Sequence, residues 1–169
     1  MEDQLTAAFK EVMAHVAAPV TIVATQVDGV PFGTTVSAFA SLSITPCMVV
    51  LALDNRGTMV DRLREAGRMG INILAPDQAE IAQRFASKIP DRFAPIDWSL
   101  SDGVPQLAGV TAFLHCSRID FAPGGDHTIV IGTVSRAETY GNDTLTYFRR
   151  TFGSALHGTD PTPVSDWRP

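Results

Sequence analysis

Tight-turn signals join two pairs of extended segments in this chain with no helix between them, and this feature limits the possible folds more than any other. The apolar segment at 19–27 ends in Asp28-Gly29, and a glycine-rich turn at 123–126 separates two further long segments. Asp and Gly tolerate the positive φ that tight hairpin turns need. A parallel sheet would require strands and helices to alternate regularly, and they do not. The sequence therefore predicts six or seven strands paired as hairpins in an antiparallel β-barrel.

Short helical patterns interrupt these segments. Apolar periodicity and capping residues predict helices over 4–16, 58–66 and about 77–86. Strands are predicted over the segments 19–27, 30–44, 48–53, 69–74, 110–121 and 127–138. Residues 87–106, which contain three prolines, are expected to be irregular. A length of 169 residues fits one domain, predicted at 1–155, and the proline-containing tail at 156–169 is expected to be poorly ordered.

Charge and composition exclude several classes of function. Thirteen basic and eighteen acidic residues give a net charge of −5, and no Lys/Arg run could follow a phosphate backbone, so no nucleic-acid partner is expected. The N-terminus is too polar for a signal peptide and no apolar run could span a membrane, which predicts a cytoplasmic protein. Cys47 and Cys116 lack metal-ligand spacing, so we expect two buried thiols and no metal site.

The segment Gly33–Pro46 is the most informative stretch of the chain. Alternate side chains of a strand share a face, so the segment has one hydroxyl-rich face and one aliphatic face. The hydroxyl-rich face holds Thr35, Ser37, Phe39, Ser41 and Ser43. The aliphatic face holds Val36, Ala38, Ala40, Leu42 and Ile44, and is expected to be core.

Neither face carries the Lys, Glu or Arg usual on a solvent-facing strand. Small residues let a flat ligand approach the backbone, and hydroxyl and peptide N–H groups supply hydrogen bonds to its polar edges. From the residues alone, a strand that faces a loop or a dimer partner is an equal alternative.

This run, G-T-T-V-S-A-F-A-S-L-S-x-x-P, closely resembles the flavin-binding strand of flavin reductase-like, split-barrel proteins. These are the small reductase partners of two-component flavin monooxygenases. Further motifs of the family follow in its order, and the resemblance covers roughly residues 5–155. They are L-D-N-R-G-T (53–58), I-N-I-L (71–74), R-F-A-S-K (84–88) with D-R-F (91–93), G-G-D-H-T-I-V-I-G (124–132) and L-T-Y-F-R-R-T-F-G (145–153).

The resemblance implies a fold and an activity. The implied fold is a mainly β, Greek-key split β-barrel of the FMN-binding type, with a few short helices, assembled as a homodimer. The implied activity is that of an NAD(P)H:flavin oxidoreductase, which uses NADH or NADPH to reduce FMN or FAD and passes the reduced flavin transiently to a monooxygenase. The residues do not distinguish FMN from FAD or NADH from NADPH.

The resemblance also implies site residues. It places Thr35, Ser37, Ala38 and Ser41 at the flavin ring, and Asn55, Arg56 and Thr58 at the flavin phosphate. Asn72, Ser87 and Lys88 are further flavin contacts, and Tyr147 and Arg149 close over the flavin or the nucleotide. His127 lies beside the nicotinamide and is the catalytic candidate. Arg150, Thr151 and Cys47 depart from the family pattern, and the first two leave the nucleotide contacts at that corner in doubt.

Three of these positions have plain structural alternatives. Thr58 suits an ordinary helix cap as well as it suits the start of a helix whose free N–H groups favour an anion. Lys88 could equally be a solvated surface charge, and a lone histidine such as His127 is more often structural than functional.

Hydride transfer between nicotinamide and flavin needs no protein nucleophile or buried acid–base pair, and the sequence offers none. Two rivals to the reductase interpretation remain. One is an enzyme that uses bound flavin to reduce another acceptor, such as a quinone, a metal complex or a small organic molecule. The other is a non-catalytic flavin-binding or redox-sensing module. A purely structural barrel is the weakest alternative because it leaves the hydroxyl-rich face unexplained.

Overall fold

The computed structural model describes residues 4–141 and 143–155. Three short helices and twelve strands are found in these ranges, so the prediction of a mainly β chain is confirmed. The helices are α1 (Gln4–Ala14), α2 (Met59–Ala66) and α3 (Ala79–Ala86). The strands are β1 (Ala18–Pro19), β2 (Thr21–Val27), β3 (Val30–Val36), β4 (Phe39–Ile44), β5 (Cys47–Asp54), β6 (Met69–Ile73), β7 (Trp98–Ser101), β8 (Val104–Leu107), β9 (Ala112–Gly124), β10 (His127–Thr139), β11 (Leu145–Phe148) and β12 (Thr151–Ser154).

Seven of the strands form one antiparallel sheet, in the order β3-β2-β6-β9-β10-β5-β4. The two outer strands, β3 and β4, follow each other in the chain and are joined only by Ser37 and Ala38. The two edges of the sheet must therefore meet at this link, which curls the sheet into a barrel that is split between β3 and β4. The link is held to β5 because the Ala52 amide donates to the Ala38 carbonyl over 3.0 Å.

The inside of the barrel is the main apolar core. It is filled by the inward side chains of alternating strand positions, with α2 closing one side. Along β5, for example, the inward residues Val49, Leu51 and Leu53 are buried while their neighbours are partly exposed. The same core contains Val23, Val36, Met59, Val60, Leu63, Met69, Ile71, Cys116 and Val130.

A second core lies outside the barrel, between the sheet, α3 and the segment that follows it. Its aromatic centre is Phe85 of α3 and Phe93, whose rings meet edge to face at 4.8 Å between centroids. Phe93 also contacts Trp98 of β7 edge to face at 5.5 Å. This second core anchors the segment 87–96, which has no regular structure, against the outer side of β3.

Two local predictions are wrong. Residues 98–107, expected to be irregular, form the β7–β8 hairpin around Asp102-Gly103, which adopt positive φ of 51° and 78°. The extended segment 30–44 is two strands, and its aliphatic face is not core: only Val36 is buried, while Leu42 and Ile44 are 48% and 65% exposed. The reason is that the alternation is interrupted at the Ser37–Ala38 link: in the edge strand β4, Phe39 rather than its aliphatic neighbours packs against the barrel core.

The cysteines differ from each other. Cys116 is buried inside the barrel as expected, and burial raises the pKa of its thiol to about 12. Cys47 is exposed at the start of β5, so the expectation that it is buried is wrong. The proposed tail, 156–169, lies outside the described residues.

Candidate functional site

A cavity of about 310 Å³ opens where β3 and β4 separate. It is bounded by β3 and the Ser37–Ala38 link, by the end of β5, by the loop that leads into α2, and by the first residue of β10. Of the predicted site residues, the structure brings Thr35, Ser37, Ala38, Thr58 and His127 together around this one cavity.

The β3 wall is an edge of the sheet, with β2 as its only strand neighbour in the described chain. An edge strand leaves a row of backbone N–H and C=O groups without a strand partner. The Thr35 hydroxyl proton is not available to a ligand in the cavity, because the hydroxyl donates to the Ala82 carbonyl over 2.6 Å. The wall therefore offers backbone groups and small side chains rather than the full row of hydroxyls that the sequence predicted.

The loop after β5 carries a tight ion pair. Arg56 donates to both carboxylate oxygens of Asp54 at 2.5–3.0 Å, and these hydrogen bonds hold the pKa of the Asp54 carboxyl well below its usual range. Asp54 lines the cavity, whereas the Arg56 side chain is 89% exposed. Asn55 points elsewhere: its Oδ1 accepts from the Thr128 hydroxyl, and it borders a smaller pocket on the far side of His127.

Thr58 occupies the N-cap position of α2, but its side chain makes no capping hydrogen bond. The side-chain hydrogen bond that an ordinary Thr cap makes is therefore not formed. Free N–H groups at a helix N-terminus attract anions because they carry the positive end of the helix dipole. Gly57 and Thr58 both line the cavity, so this helix start faces it.

His127, at the beginning of β10, lines the same cavity as this helix start. Backbone pairing places it directly across from Asp54 of β5. Its Nδ1 lies 2.7 Å from Oδ1 of Asp126, and this hydrogen bond lowers the pKa of the Asp126 carboxyl. Because Nδ1 is engaged by Asp126, Nε2 is the ring nitrogen left for a ligand.

Eight of the thirteen predicted residues do not line the cavity, Asn55 and Arg56 of the loop after β5 among them. Ser41 lies on the exposed edge strand β4, and Lys88 is exposed. The Ser87 hydroxyl donates to the Arg84 carbonyl, as at a helix end. Asn72 is fully buried and joins three backbone groups: its amide donates to the Ile22 and Pro105 carbonyls, and its Oδ1 accepts from the Leu107 amide.

Tyr147 and Arg149 belong to the β11–β12 hairpin, away from the cavity. Tyr147 borders a second, largely apolar cavity of about 510 Å³ beside the first. The two cavities share Ser37, Ala38 and Ala52, so both border the same link. Arg149 sits in the hairpin turn with a positive φ of 49°, and its backbone N–H donates to the Ala14 carbonyl at the end of α1.

Sequence reasoning missed Arg92 and Gly33 as parts of the site. Arg92 lines the cavity and donates through Nη1 to the Gly33 carbonyl over 2.8 Å. Both stand inside motifs that the sequence analysis quoted, D-R-F and G-T-T-V-S, but nothing in their spacing shows that they meet.

Within residues 4–141 and 143–155 there is no group of three or more His, Cys, Asp or Glu side chains that could hold a metal ion. None of the helices described is long and apolar enough to cross a membrane.

Comparison with known proteins gives a consistent result. Residues 13–156 match the model of the flavin reductase-like domain family. The reductase component of a 4-nitrophenol 4-monooxygenase/4-nitrocatechol 2-monooxygenase from Rhodococcus opacus is 39% identical over 147 residues, which is 87% of this chain and 80% of that protein. Component B of a nitrilotriacetate monooxygenase from Mycobacterium thermoresistibile superposes with a TM-score of 0.91 at 31% identity, covering 99% and 95% of the two chains. The NADH:FAD oxidoreductase SgcE6 of Streptomyces globisporus C-1027, solved with NAD and FAD fragments, superposes with a TM-score of 0.86 at 28% identity, covering 94% and 96%.

Proposed function

The chain belongs to the family of flavin reductase-like domains, and we propose that it is an NAD(P)H:flavin oxidoreductase that supplies reduced FMN or FAD to a partner monooxygenase. The observation that carries this proposal is the cavity at the split between β3 and β4, which is lined by the strand that resembles the family's flavin-binding strand. Its volume lies near the lower end of the range typical of small-ligand sites, roughly 300–1,000 Å³. The relatives named above are reductase components or an NADH:FAD oxidoreductase.

The residues present fit a flavin. The β3 wall is narrow, built from small side chains and unpaired backbone groups, which suits the polar edge of a flat ring. The start of α2, with Gly57 and the uncapped Thr58, suits a phosphate at the other end of the cavity. We assign the ring to Thr35, Ser37 and Ala38, and the phosphate to Thr58 and the neighbouring loop.

A bound flavin supplies the hydride acceptor, so the protein's contribution is placement and electrostatics. Residues 35–38 hold the ring against the barrel wall and keep water from that side. His127 lines the cavity with Nδ1 engaged by Asp126, and its Nε2 is the ring nitrogen that would orient the nicotinamide nucleotide by a hydrogen bond. Orientation of two bound reactants alone accounts for a large part of such a rate enhancement.

The working form is proposed to be a homodimer. None of the residues of α1 is buried in the single chain, although Leu5, Phe9, Val12 and Met13 are apolar and 46–73% exposed. Met13 and the nearby Val16 border the second cavity together with β4 and β5. Contiguous exposed apolar surface of this kind marks an interaction site. A second copy placed here would cover the Ser37–Ala38 link and complete the flavin site from the far side.

Sedimentation velocity tests the dimer. The wild-type chain is expected to sediment as a dimer and Phe9→Lys as a monomer, because the lysine places a charge on the apolar surface of α1. The variant should still fold, since Phe9 makes no contribution to the core of the single chain. Leu100→Lys is the matched control, because Leu100 is 52% exposed on β7, outside this surface. A wild-type protein that sediments as one chain contradicts the dimer.

Anaerobic stopped-flow absorbance tests the activity itself. The protein is mixed with FMN or FAD and then with NADH or NADPH, and loss of the oxidised flavin's visible absorption is followed. Rapid bleaching that depends on the protein and saturates with free flavin supports the reductase, and the four pairings rank its substrates. Flavin binding without bleaching identifies a binding module instead. Bleaching without saturation in free flavin identifies an enzyme that uses bound flavin to reduce another acceptor.

A further inference from the structure

Arg92 lines the cavity between β3 and β4, and two hydrogen bonds to backbone carbonyls hold its guanidinium in place. Its Nη1 donates to the Gly33 carbonyl over 2.8 Å, and its Nη2 donates to the Ser87 carbonyl over 2.5 Å. One bond reaches β3 and the other reaches the end of α3, so the guanidinium is held from both sides. A guanidinium has five N–H groups, and these two bonds leave three for a ligand.

The charge of Arg92 is not paired with a carboxylate in the part of the chain that the structure describes. Within the described ranges, no acidic side chain lies within ion-pair distance of Arg92, and both of its partners are neutral carbonyls. The other strongly charged group on the cavity wall, Asp54, is different because Arg56 pairs with both of its oxygens. A half-buried cation without a counter-charge strengthens the binding of negative charge that arrives in its cavity.

Hydride transfer brings negative charge to this cavity. The donor gives up two electrons and one proton as hydride and leaves as oxidised nicotinamide, while neutral oxidised flavin becomes anionic reduced flavin. We propose that Arg92 stabilises the reduced flavin anion relative to the oxidised flavin, and so makes the transfer thermodynamically more favourable in the site. This inference rests on the proposed reductase function.

The flavin phosphate is the other negative group that Arg92 could meet. The position of Arg92 favours contact with the ring. Its guanidinium is hydrogen-bonded to Gly33, two residues before Thr35 on the strand assigned to the ring. The phosphate is assigned to the start of α2, which borders the cavity through Gly57 and Thr58. A ring contact distinguishes reduced from oxidised flavin, whereas a phosphate contact treats the two states alike.

The experiment measures dissociation constants of oxidised and photoreduced flavin under anaerobic, mildly alkaline conditions, by quenching of tryptophan fluorescence. FMN and riboflavin, which lacks the phosphate, are both used. Arg92→Gln is expected to lower the preference for reduced over oxidised flavin by about tenfold, with both ligands. Arg92→Lys keeps the charge and is expected to keep most of this preference, even where overall affinity falls.

Arg84→Gln is the matched control. Arg84 donates to the Arg92 and Asp91 carbonyls, so its loss loosens the same segment without removing the cation from the cavity. We expect Arg84→Gln to change both dissociation constants by the same factor. An unchanged ratio in Arg92→Gln overturns the proposal, as does an effect seen with FMN but not riboflavin. Failure of the wild-type protein to bind any flavin would instead refute the proposed function.

Discussion

Gly33 of β3 lies so close to Phe85 of α3 that a side chain at this position would force a shift: a β-carbon at Gly33 would come within 2.8 Å of Phe85 Cε1. It would also come within 3.1 Å of Phe93 Cζ. Both rings are buried and packed edge to face, so neither can move aside freely. Packing of the second core against the outer side of β3 therefore fixes the position of this strand, which forms one wall of the cavity.

Gly33→Ala is expected to lower the free energy of unfolding by about 1–3 kcal/mol, since the added methyl overpacks a filled core. It should also displace β3 and weaken flavin binding. Chemical denaturation and flavin titration measure the two effects. Gly153→Ala is the control, because a β-carbon there would meet only Thr146 Oγ1 at 3.8 Å. Equal stabilities of the two variants would contradict this account, and rescue of Gly33→Ala by Phe85→Leu would support it.

Thr58→Ala distinguishes two possible roles of the Thr58 side chain, capping of α2 and contact with the flavin phosphate. Loss of a Thr N-cap usually costs about 1 kcal/mol, but the Thr58 side chain makes no capping bond, so we expect little change in stability. Affinity for FMN should fall several-fold, while affinity for riboflavin stays the same. Thermal melts and paired titrations provide the measurements. A stability loss of cap size, with unchanged FMN affinity, would return Thr58 to a purely structural role.

The turn between β11 and β12 contains strain that can be removed. Arg149 and Arg150 adopt positive φ of 49° and 62°, a conformation that favours Gly or Asn. Arg150→Gly gives up a solvent-exposed ion pair with Glu11, which contributes little. We expect a net stabilisation of about 1 kcal/mol, or a Tm increase of about 2–4 °C. Arg150→Lys keeps the backbone strain and should not raise the Tm. If Arg150→Lys raised the Tm as much as Arg150→Gly does, relief of strain would not be the cause.

The turns and cavity-facing motifs were predictable because their signals are local. Asp28-Gly29 forms the expected hairpin turn, and Gly67 caps α2 with a φ of 67°. The same Asp-Gly signal occurs at Asp102-Gly103, but it stands among the prolines of 87–106, which favour irregular structure. Alternation does not predict the break at Ser37–Ala38, after which Phe39 rather than the aliphatic residues packs against the barrel core.

Long-range geometry was not predictable. Alternation says which residues share a face, yet whether Leu42 faces core or solvent depends on the place of β4 at the sheet edge. Asn72 lies in a family motif, but the hydrogen bonds of its side-chain amide link β6 with β2 and β8. These contacts span 33–50 residues of sequence. The meeting of Arg92 with Gly33, 59 residues apart, leaves no local sign in either motif.

His115 predicts a pH dependence of stability. It is 6% exposed, its Nδ1 bonds the Ser135 hydroxyl, and its Nε2 has no hydrogen-bond partner in the described structure. Desolvation lowers the pKa of His115, opposed by Asp102 and assisted by Arg136 and Arg68. The unfolded chain therefore binds a proton more readily than the fold does, and stability is lost as pH falls below about 6.5.

His115→Gln should flatten this profile. Unfolding by urea at a series of pH values measures it, and one proton contributes at most about 1.4 kcal/mol per pH unit. His15, which is exposed at the end of α1, provides the control variant His15→Gln. An unchanged slope in His115→Gln would show that other groups control the acid sensitivity.

His127→Asn tests the contact with the nicotinamide nucleotide. The substitution removes a hydrogen bond at the cavity wall while leaving the β3 wall and the start of α2 in place. We expect the rate of flavin reduction to fall about tenfold, the effect of one lost hydrogen bond, with flavin affinity nearly unchanged. Asp126→Asn should have a smaller effect in the same direction, because Asp126 only orients the ring through Nδ1. Single-turnover reduction measured beside flavin titration separates the two quantities. If flavin affinity falls as far as the rate, His127 belongs to the flavin site, and the nucleotide is oriented by other residues.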